Sequence, residues 1–268
     1  NLNYINGKVQ AHVKELKLFE NNKKFYKIVN QKFFDLSKAN YILMRQNPPF
    51  NMDYITATFF LEHLPKKVKV INNPVSVRNV SEKFYSVNFI KYMPPTIFTK
   101  NIAEIKKFLK KYKKIVIKPI HGYGGKNILF INKLINKIKI LNYIKKFDHV
   151  MVQKFIPQIT KGDKRVFIIN GLVKGAIQRV PRKGSFVSNL AQGGKAIKTE
   201  LNYRELKISK AVAKHLKKSK IFFAGIDLVS NYLIGDINVT SPTGLKNFKD
   251  LSGVNLAEDF WNNLEKLK

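Results

Sequence analysis

The stretch from Ala39 to Asn72 limits the fold more than any other part of the chain. Ala39-Asn40-Tyr41-Ile42-Leu43-Met44 is an apolar run of strand length, and it stops at Arg45-Gln46-Asn47-Pro48-Pro49-Phe50. Proline fixes φ and lacks a backbone N–H, so the pair ends the strand and forces a loop. Met52 to Leu64 then reads as a helix, and Val68-Lys69-Val70-Ile71-Asn72 as a second short strand. Strand, loop, helix, strand is the unit of a parallel sheet, which predicts an α/β chain. Ligands gather beyond the carboxyl ends of such strands, where Arg45 stands.

Elsewhere the punctuation is as informative. Residues 1 to 35 show no clean period and read as basic and irregular. Asn79 and Glu82 have capping-box spacing, which predicts a helix from there to about Tyr92, stopped by Pro94-Pro95. Lys83 falls in its first turn, against the helix dipole; an anionic ligand nearby would account for that, and so would plain exposure. Ile102 to Tyr112 reads as an amphipathic basic helix, and Ile115-Val116-Ile117-Lys118-Pro119 as a strand. Further strands are expected at Asn127 to Ile131, at Val150 to Pro157, and at Arg165 to Ile169 and Gly175 to Val180 around an Asn170-Gly171 turn. Pro181 to Lys195 is a long polar loop of the kind that covers sites. Asn202 and Glu205 open a capped helix to about Lys218, Ile221 to Val229 and Tyr232 to Thr240 pair as strands, and Leu256 to Leu267 closes as a helix.

Composition excludes several chemistries. With 268 residues and 44% hydrophobic content the chain can build two or three small lobes. No apolar run is long enough to span a bilayer, and no signal-peptide pattern opens the chain. There is no cysteine, hence no disulfide, thiolate zinc site or cysteine nucleophile, which fits a reducing cytosol. The five histidines lie far apart, without metal-ligand spacing. The 50 Lys and Arg against 17 Asp and Glu give a formal charge of +33. Nucleic-acid binding needs such a surface, yet the lysines are spread evenly and no nucleic-acid motif accompanies them. Compositional drift, with a field that attracts anionic substrates, is the preferred reading.

Two constellations carry chemistry. Gly122-Tyr123-Gly124-Gly125 lies between two strands, directly after Lys118. Glycines let backbone N–H groups approach phosphate oxygens, and a lysine at a strand end can pair with a phosphate. A tight hairpin uses similar glycines, so the cluster alone does not decide. The second constellation is acidic. With Ser230-Asn231 as a two-residue turn, Val229 faces Tyr232 and Asp227 faces Ile234, which puts Asp227, Asp236 and Asn238 on one face. Two carboxylates and an amide oxygen suit Mg²⁺. Nearby stand Gly162-Asp163-Lys164-Arg165 and Arg179-Val180-Pro181-Arg182.

Taken in order, these segments resemble bacterial glutathione synthetases, members of the ATP-grasp superfamily. The carriers are Met44-Arg45-Gln46-Asn47-Pro48-Pro49-Phe50, Asn79-Val80-Ser81-Glu82-Lys83, Ile117-Lys118-Pro119 with the glycine cluster, Gly162-Asp163-Lys164-Arg165, Asn189-Leu190-Ala191-Gln192-Gly193-Gly194, and Asp236-Ile237-Asn238-Val239-Thr240-Ser241-Pro242-Thr243-Gly244. The resemblance covers the whole chain, but Tyr4-Ile5-Asn6-Gly7 matches a point well inside the family's N-terminal domain, so a strand, a helix and a further strand are expected to precede it. It departs from the family pattern in four places: Asp236 stands for a glutamate, the preceding hairpin has an extra residue, and Asn47 and His121 stand for aspartates.

The resemblance implies an α/β ATP-grasp fold with a truncated N-terminal parallel-sheet domain (1–78), a central lid domain (79–156) and a C-terminal antiparallel-sheet domain (157–268). It implies that Lys83, Lys118 and Gly122, Gly124 and Gly125 hold ATP phosphates, that Gln153, Lys154, Phe155 and Ile156 line the adenine pocket, and that Asp163 lies near the ribose. Arg165 and Arg179 would face the reacting groups; Asp227, Asp236 and Asn238 would bind two Mg²⁺, with Mn²⁺ as a substitute; Arg45, Asn189, Ser241 and Thr243 would hold peptide and glycine. The implied reaction is ATP-dependent joining of γ-glutamylcysteine to glycine through an acyl phosphate, in a cytoplasmic homotetramer without membrane or dedicated nucleic-acid partners. The alternatives are another ATP-grasp carboxylate–amine ligase, or an inactive relic acting as a basic binding protein.

Overall fold

The computed structural model describes residues 2–20, 25–132, 137–182, 184, 188, 190 and 193–267. The first 35 residues are not irregular. Strands β1 (Leu2–Ile5), β2 (Lys8–Leu18) and β3 (Tyr26–Asp35) form an antiparallel meander. The expectation failed because β3 is exposed along its first eight residues and β2 buries only Val9 and Ala11. A strand with no buried face needs no hydrophobic alternation. The Asn6-Gly7 turn, with φ of 49° and 74°, was the readable signal.

The βαβ unit forms where expected. β4 (Tyr41–Leu43) pairs in parallel with β5 (Lys69–Ile71), and α1 (Met52–Glu62) crosses between them, capped by Asn51 Oδ1 accepting from Tyr54 N at 3.1 Å. The predicted Asn79–Glu82 capping box does not form. A six-residue helix, α2 (Pro74–Asn79), starts earlier with Asn73 as its cap and ends at Asn79; Phe84–Tyr92 follow as 3-10 turns. Asn73 with Pro74 at the first helical position is the stronger start signal.

β6 (Thr96–Thr99), α3 (Ile102–Tyr112), β7 (Ile115–Pro119), β8 (Leu129–Ile131), α4 (Lys137–Phe147) and β9 (Val150–Lys154) build the central unit, with its strands antiparallel in the order β6-β9-β7-β8. Its separate core joins Ile105, Phe108 and Leu109 of α3 to Ile115, Ile117, Val150 and Val152. Helix α4 escaped prediction because its Lys-Ile-Lys-Ile start alternates as a strand would.

The largest sheet contains β10 (Asp163–Ile169), β11 (Leu172–Val180), β12 (Lys195–Lys198), β13 (Phe223–Val229) and β14 (Tyr232–Asn238), in the order β12-β11-β10-β13-β14, all antiparallel. Both faces are covered. Val166 and Ile168 face α5 (Tyr203–Lys218), which buries Ile208, Val212 and Leu216. Phe167 and Ile169 face the other way, onto Phe248 of α6 (Leu245–Ser252) and Leu256, Phe260 and Leu264 of α7 (Leu256–Glu265). The Asn202–Glu205 capping box at the start of α5 forms in both directions.

The β13–β14 pairing departs from a regular hairpin. Val229 faces Tyr232 and Leu228 faces Leu233, as expected, but the next pairs are Ile226 with Ile237 and Gly225 with Asn238. Asp227 therefore stands opposite a bulge of Ile234, Gly235 and Asp236, not opposite Ile234 alone, with Gly235 at φ +89°. The register moves by two residues, so Asn238 keeps the face it had in the regular hairpin.

Candidate active site

Strand β7 delivers Lys118 and turns at Pro119 into the glycine loop. Gly124 and Gly125 have successive φ values of +62° and +74°, which only glycine adopts without strain. A Cβ on Gly122 would run into the Pro119 ring. Lys83 and Lys118 are each 5% exposed. Lys83 Nζ donates to the Gly122 carbonyl at 2.5 Å and Lys118 Nζ to the Ile234 carbonyl at 3.0 Å, while both face Asp236, at 3.3 and 3.5 Å. Burial works against the Lys83 charge, but Asp236 and Glu82 outweigh it and hold its pKa above the ordinary value. Glu82, whose Oε1 is 3.7 Å from Lys83 Nζ, is pushed up by burial and by Asp236 and Asp227, with Lys83 opposing.

A second group comes from the sheet register. Arg165 on β10 is paired across to Asp227 on β13, and Asp163 to Arg179 on β11, so the four side chains meet on one face. Arg165 holds Asp227 with two bonds, Nε to Oδ1 at 2.5 Å and Nη2 to Oδ2 at 2.9 Å. Arg179 Nη2 lies 2.8 Å from Asp227 Oδ2 and also binds Asp163, which accepts a further bond from Ser188 Oγ. All four charged residues are 2–7% exposed. Burial alone would raise Asp227, but Arg165 and Arg179 bring it down to about 2. Burial and Asp227 push Asp163 up, against Arg179 and Ser188; Arg179 itself lies above the usual arginine value because Asp227 and Asp163 overcome its desolvation.

The oxygen donors at the end of the hairpin divide. Asp236 is ionised below the ordinary carboxylate value, because Lys118 and Lys83 overcome its burial. Asn238 Oδ1 instead accepts from Thr240 N at 3.2 Å, Thr240 Oγ1 at 3.3 Å and Ser241 N at 3.1 Å, tightening the turn that follows β14. Among the described residues no three His, Cys, Asp or Glu side chains gather into a self-sufficient metal cage. A hard divalent ion that takes one or two carboxylates together with phosphate oxygens needs no such cage, and Asp227 and Asp236 fit that donor set.

The other predicted residues lie around this centre. Gln153 is 3% exposed and donates to Thr96 Oγ1 at 2.9 Å; the N–H groups of Lys154 and Phe155 are already given to the carbonyls of Pro95 and Lys114. Ile156 leads out of β9 and is half-buried. Asp163 faces Arg179 and Ser188. Arg45 Nη2 donates to the Pro242 carbonyl at 2.8 Å, which draws the end of β4 onto the Ser241-Pro242-Thr243 turn. Arg45 and Thr243 line a cavity of about 380 Å³ with Met44, Thr240 and Trp261. Asn189 lies outside the described residues. Glu82 and Ser188 were absent from the predicted set. The spacing of Glu82 from Asn79 points to a helix cap, and no motif marks Ser188.

Comparison with known proteins identifies the family and the fold. The prokaryotic glutathione synthetase ATP-grasp domain matches residues 82–253, and the N-terminal domain of prokaryotic glutathione synthetase matches residues 1–78. A glutathione synthetase of Mesorhizobium japonicum is 35% identical over 97% of this chain and 83% of its own length. One from Prochlorococcus marinus subsp. pastoris is 40% identical over 85% of this chain and 75% of its own length. Among solved structures, the ATP-grasp ligase PsnB, complexed with a phosphomimetic variant of its minimal precursor, Mg and ADP, superposes with a TM-score of 0.62. That superposition covers 93% of this chain and 85% of PsnB at 14% identity, a likeness of fold. The glycine loop, the paired lysines and the arginine–aspartate network therefore sit on an ATP-grasp frame, and the chain belongs to the prokaryotic glutathione synthetase family of ATP-dependent ligases.

Proposed function

We propose that this cleft joins γ-glutamylcysteine to glycine, with ATP converted to ADP and phosphate. The observation that carries the reading is the convergence of Lys83, Lys118, Arg165 and Arg179 on the two ionised carboxylates Asp227 and Asp236. These four buried cations, with divalent ions on the two acids, would supply the positive charge that a triphosphate and a developing acyl phosphate need. Lys83 and Lys118 bind the phosphates, exchanging their carbonyl partners for phosphate oxygens, and the N–H groups of the glycine loop support them. Gln153 to Ile156 border the adenine, and Asp163 closes the ribose side. Asp227 and Asp236 would hold two Mg²⁺, replaceable by Mn²⁺, and Asn238 would join them once its Oδ1 gives up its bonds to the Thr240–Ser241 turn. The ions neutralise phosphate charge when bound.

The cysteinyl carboxylate attacks the γ-phosphorus and the bond to ADP breaks, giving an acyl phosphate. The glycine amine then attacks the acyl carbon, loses a proton, and phosphate leaves with the C–O bond. Arg165 and Arg179 stabilise the charge on the reacting phosphate and on the tetrahedral oxygen. Arg45, Ser241 and Thr243 seat peptide and glycine in and beside the larger cavity, and Asn189 is the fourth residue assigned to substrate binding. No protein nucleophile is required, in keeping with the absence of cysteine. The units are 1–78, 79–156 and 157–268; the four-stranded sheet falls in the second and the five-stranded sheet in the third. The enzyme works as a cytoplasmic homotetramer, and light scattering tests its size.

ADP release with ATP, Mg²⁺ and γ-glutamylcysteine, with and without glycine, tests the activity. Glycine-dependent release with formation of glutathione is the expected result. A folded chain that binds ATP and turns nothing over would sink the reading.

A further inference from the structure

A small cavity beside the glycine loop is lined by two residues whose polar groups the reaction above leaves unused. It measures about 20 Å³, room for one group the size of a water molecule. Phe50, Tyr54, Ser81, Glu82, Gly122 and Thr240 are among its walls. Tyr54 is fully buried, and its hydroxyl has no hydrogen-bond partner among the described residues. A buried hydroxyl in that condition bears its whole desolvation penalty until a partner arrives.

Glu82 is the second group. Its backbone carbonyl is fixed by Ile237 N–H at 2.9 Å, which sets it against β14. Its carboxylate makes no hydrogen bond to any described residue. Its nearest cation, Lys83 Nζ at 3.7 Å, is closer to Asp236, at 3.3 Å, and to the Gly122 carbonyl, at 2.5 Å. The rest of the lining is Pro48, Val80, Ile120 and Val239, with His121 and Tyr123. A carboxylate repels an anion from the hole, and one carboxylate with one phenol offers too few hard donors for a bare divalent ion. A small organic cation with several N–H donors satisfies both groups at once.

We propose that this cavity seats the free α-ammonium of the γ-glutamyl end of the peptide substrate, between Glu82 and Tyr54. The assignment rests on the ligation reading above. Of the two amines in that reaction, the glycine nitrogen is the nucleophile and has to shed its proton, which an ion pair with a carboxylate opposes. The γ-glutamyl ammonium stays charged throughout. Thr240 lines both this cavity and the larger one beside Arg45, so a peptide anchored here extends into the larger space.

The test pairs the peptide with an analogue lacking only the α-amino group, glutaryl-cysteine, against wild type, Glu82→Gln and Tyr54→Phe. Wild type should show a KM for γ-glutamylcysteine lower by at least about tenfold than for the analogue. Glu82→Gln should raise the KM for γ-glutamylcysteine by about tenfold, leave the analogue within about twofold, and leave the KM for ATP unchanged. Tyr54→Phe should act in the same direction by roughly threefold. A Glu82→Gln effect equal for both peptides would overturn the proposal and make Glu82 a support for Lys83. A wild type that treats the two peptides alike would assign the cavity to a water. Calorimetric Kd values for both peptides, with ADP and Mg²⁺ present, read the same differences without turnover. Wild-type glutathione formation is scored separately, so failure of the ligation reading is distinguishable from failure of the ammonium seat.

Discussion

The Asp236 carboxylate is shared between two lysines from distant segments, with Oδ1 at 3.3 Å from Lys83 Nζ and Oδ2 at 3.5 Å from Lys118 Nζ. Lys83 follows α2 and Lys118 ends β7, so one acid on the bulged β14 ties together the parts that surround the phosphates. Asp236→Asn would leave two nearly buried ammonium groups without the carboxylate they share. The expected outcome is a fall in kcat/KM of at least about a hundredfold with a shifted Mg²⁺ requirement. Lys118→Met should raise the KM for ATP while the KM for glycine stays near wild type. ADP release across a Mg²⁺ titration checks both, and an Asp236→Asn variant with wild-type Mg²⁺ dependence would remove Asp236 from the ion site.

Asp227 predicts an acid transition. Its folded pKa of about 2 lies below the ordinary 3.8, because Arg165 and Arg179 more than offset its burial. A depressed folded value stabilises the fold above the unfolded pKa, and that contribution is lost as pH falls through about 4 towards about 2. Asp163 runs the other way, since burial and Asp227 raise it and its ionisation opposes folding. The melting temperature of wild type should therefore fall more steeply between about pH 4 and about pH 2 than that of Asp227→Asn, which starts lower. Parallel curves would show that the arginine–aspartate pair contributes no pH-dependent stability.

What the sequence revealed follows the same physics. α3 and α5 were legible because a capping asparagine, a helical period and one buried face coincide in each. The Asn170-Gly171 turn placed Arg165 and Arg179 on adjacent strands, so the pairing of Arg179 with Asp163 depends only on register; that of Arg165 with Asp227 also needs β13 beside β10, which no local signal gives. The β14 bulge was legible only as the extra hairpin residue of the family resemblance, since a hydrophobic pattern is blind to a shift of two residues that returns Asn238 to its face. The role of Glu82 was hidden for another reason. Its capping-box spacing with Asn79 was a local signal, and the stronger Asn73-Pro74 start overrode it.

Gly162 offers a test of positioning at a distance. It has φ +101°, and a Cβ there would collide with the backbone carbonyl of Arg179. Gly162→Ala therefore combines backbone strain with displacement of the strand that carries Arg179. We expect kcat to drop by roughly tenfold or more with a smaller change in the KM for ATP, because a small misplacement of a charge-stabilising group acts on the transition state. Pre-steady-state ADP formation checks it, and an unchanged burst rate would detach Gly162 from the chemistry.

Asn72 joins the parallel sheet to the sheet that carries the active site. Its side chain is 5% exposed and makes four hydrogen bonds: Nδ2 donates to the carbonyls of Phe223 and Val239, both at 2.7 Å, and Oδ1 accepts from Phe222 N at 2.9 Å and Phe223 N at 2.8 Å. The residue follows β5, and its partners lie just before and at the start of β13 and just after β14, so one amide closes the gap between two sheets. No isosteric apolar residue can replace it, since truncation orphans two buried N–H groups and two carbonyls at once. Asn72→Ala should cost about 3–5 kcal/mol in urea unfolding. Asn72→Asp preserves the acceptor but faces two carbonyls with an anion or a proton, so it should recover less than half of the loss. If Asn72→Ala unfolds at the wild-type midpoint, water has replaced the amide, and the Arg45–Pro242 bond and the apolar contacts suffice to hold the two sheets together.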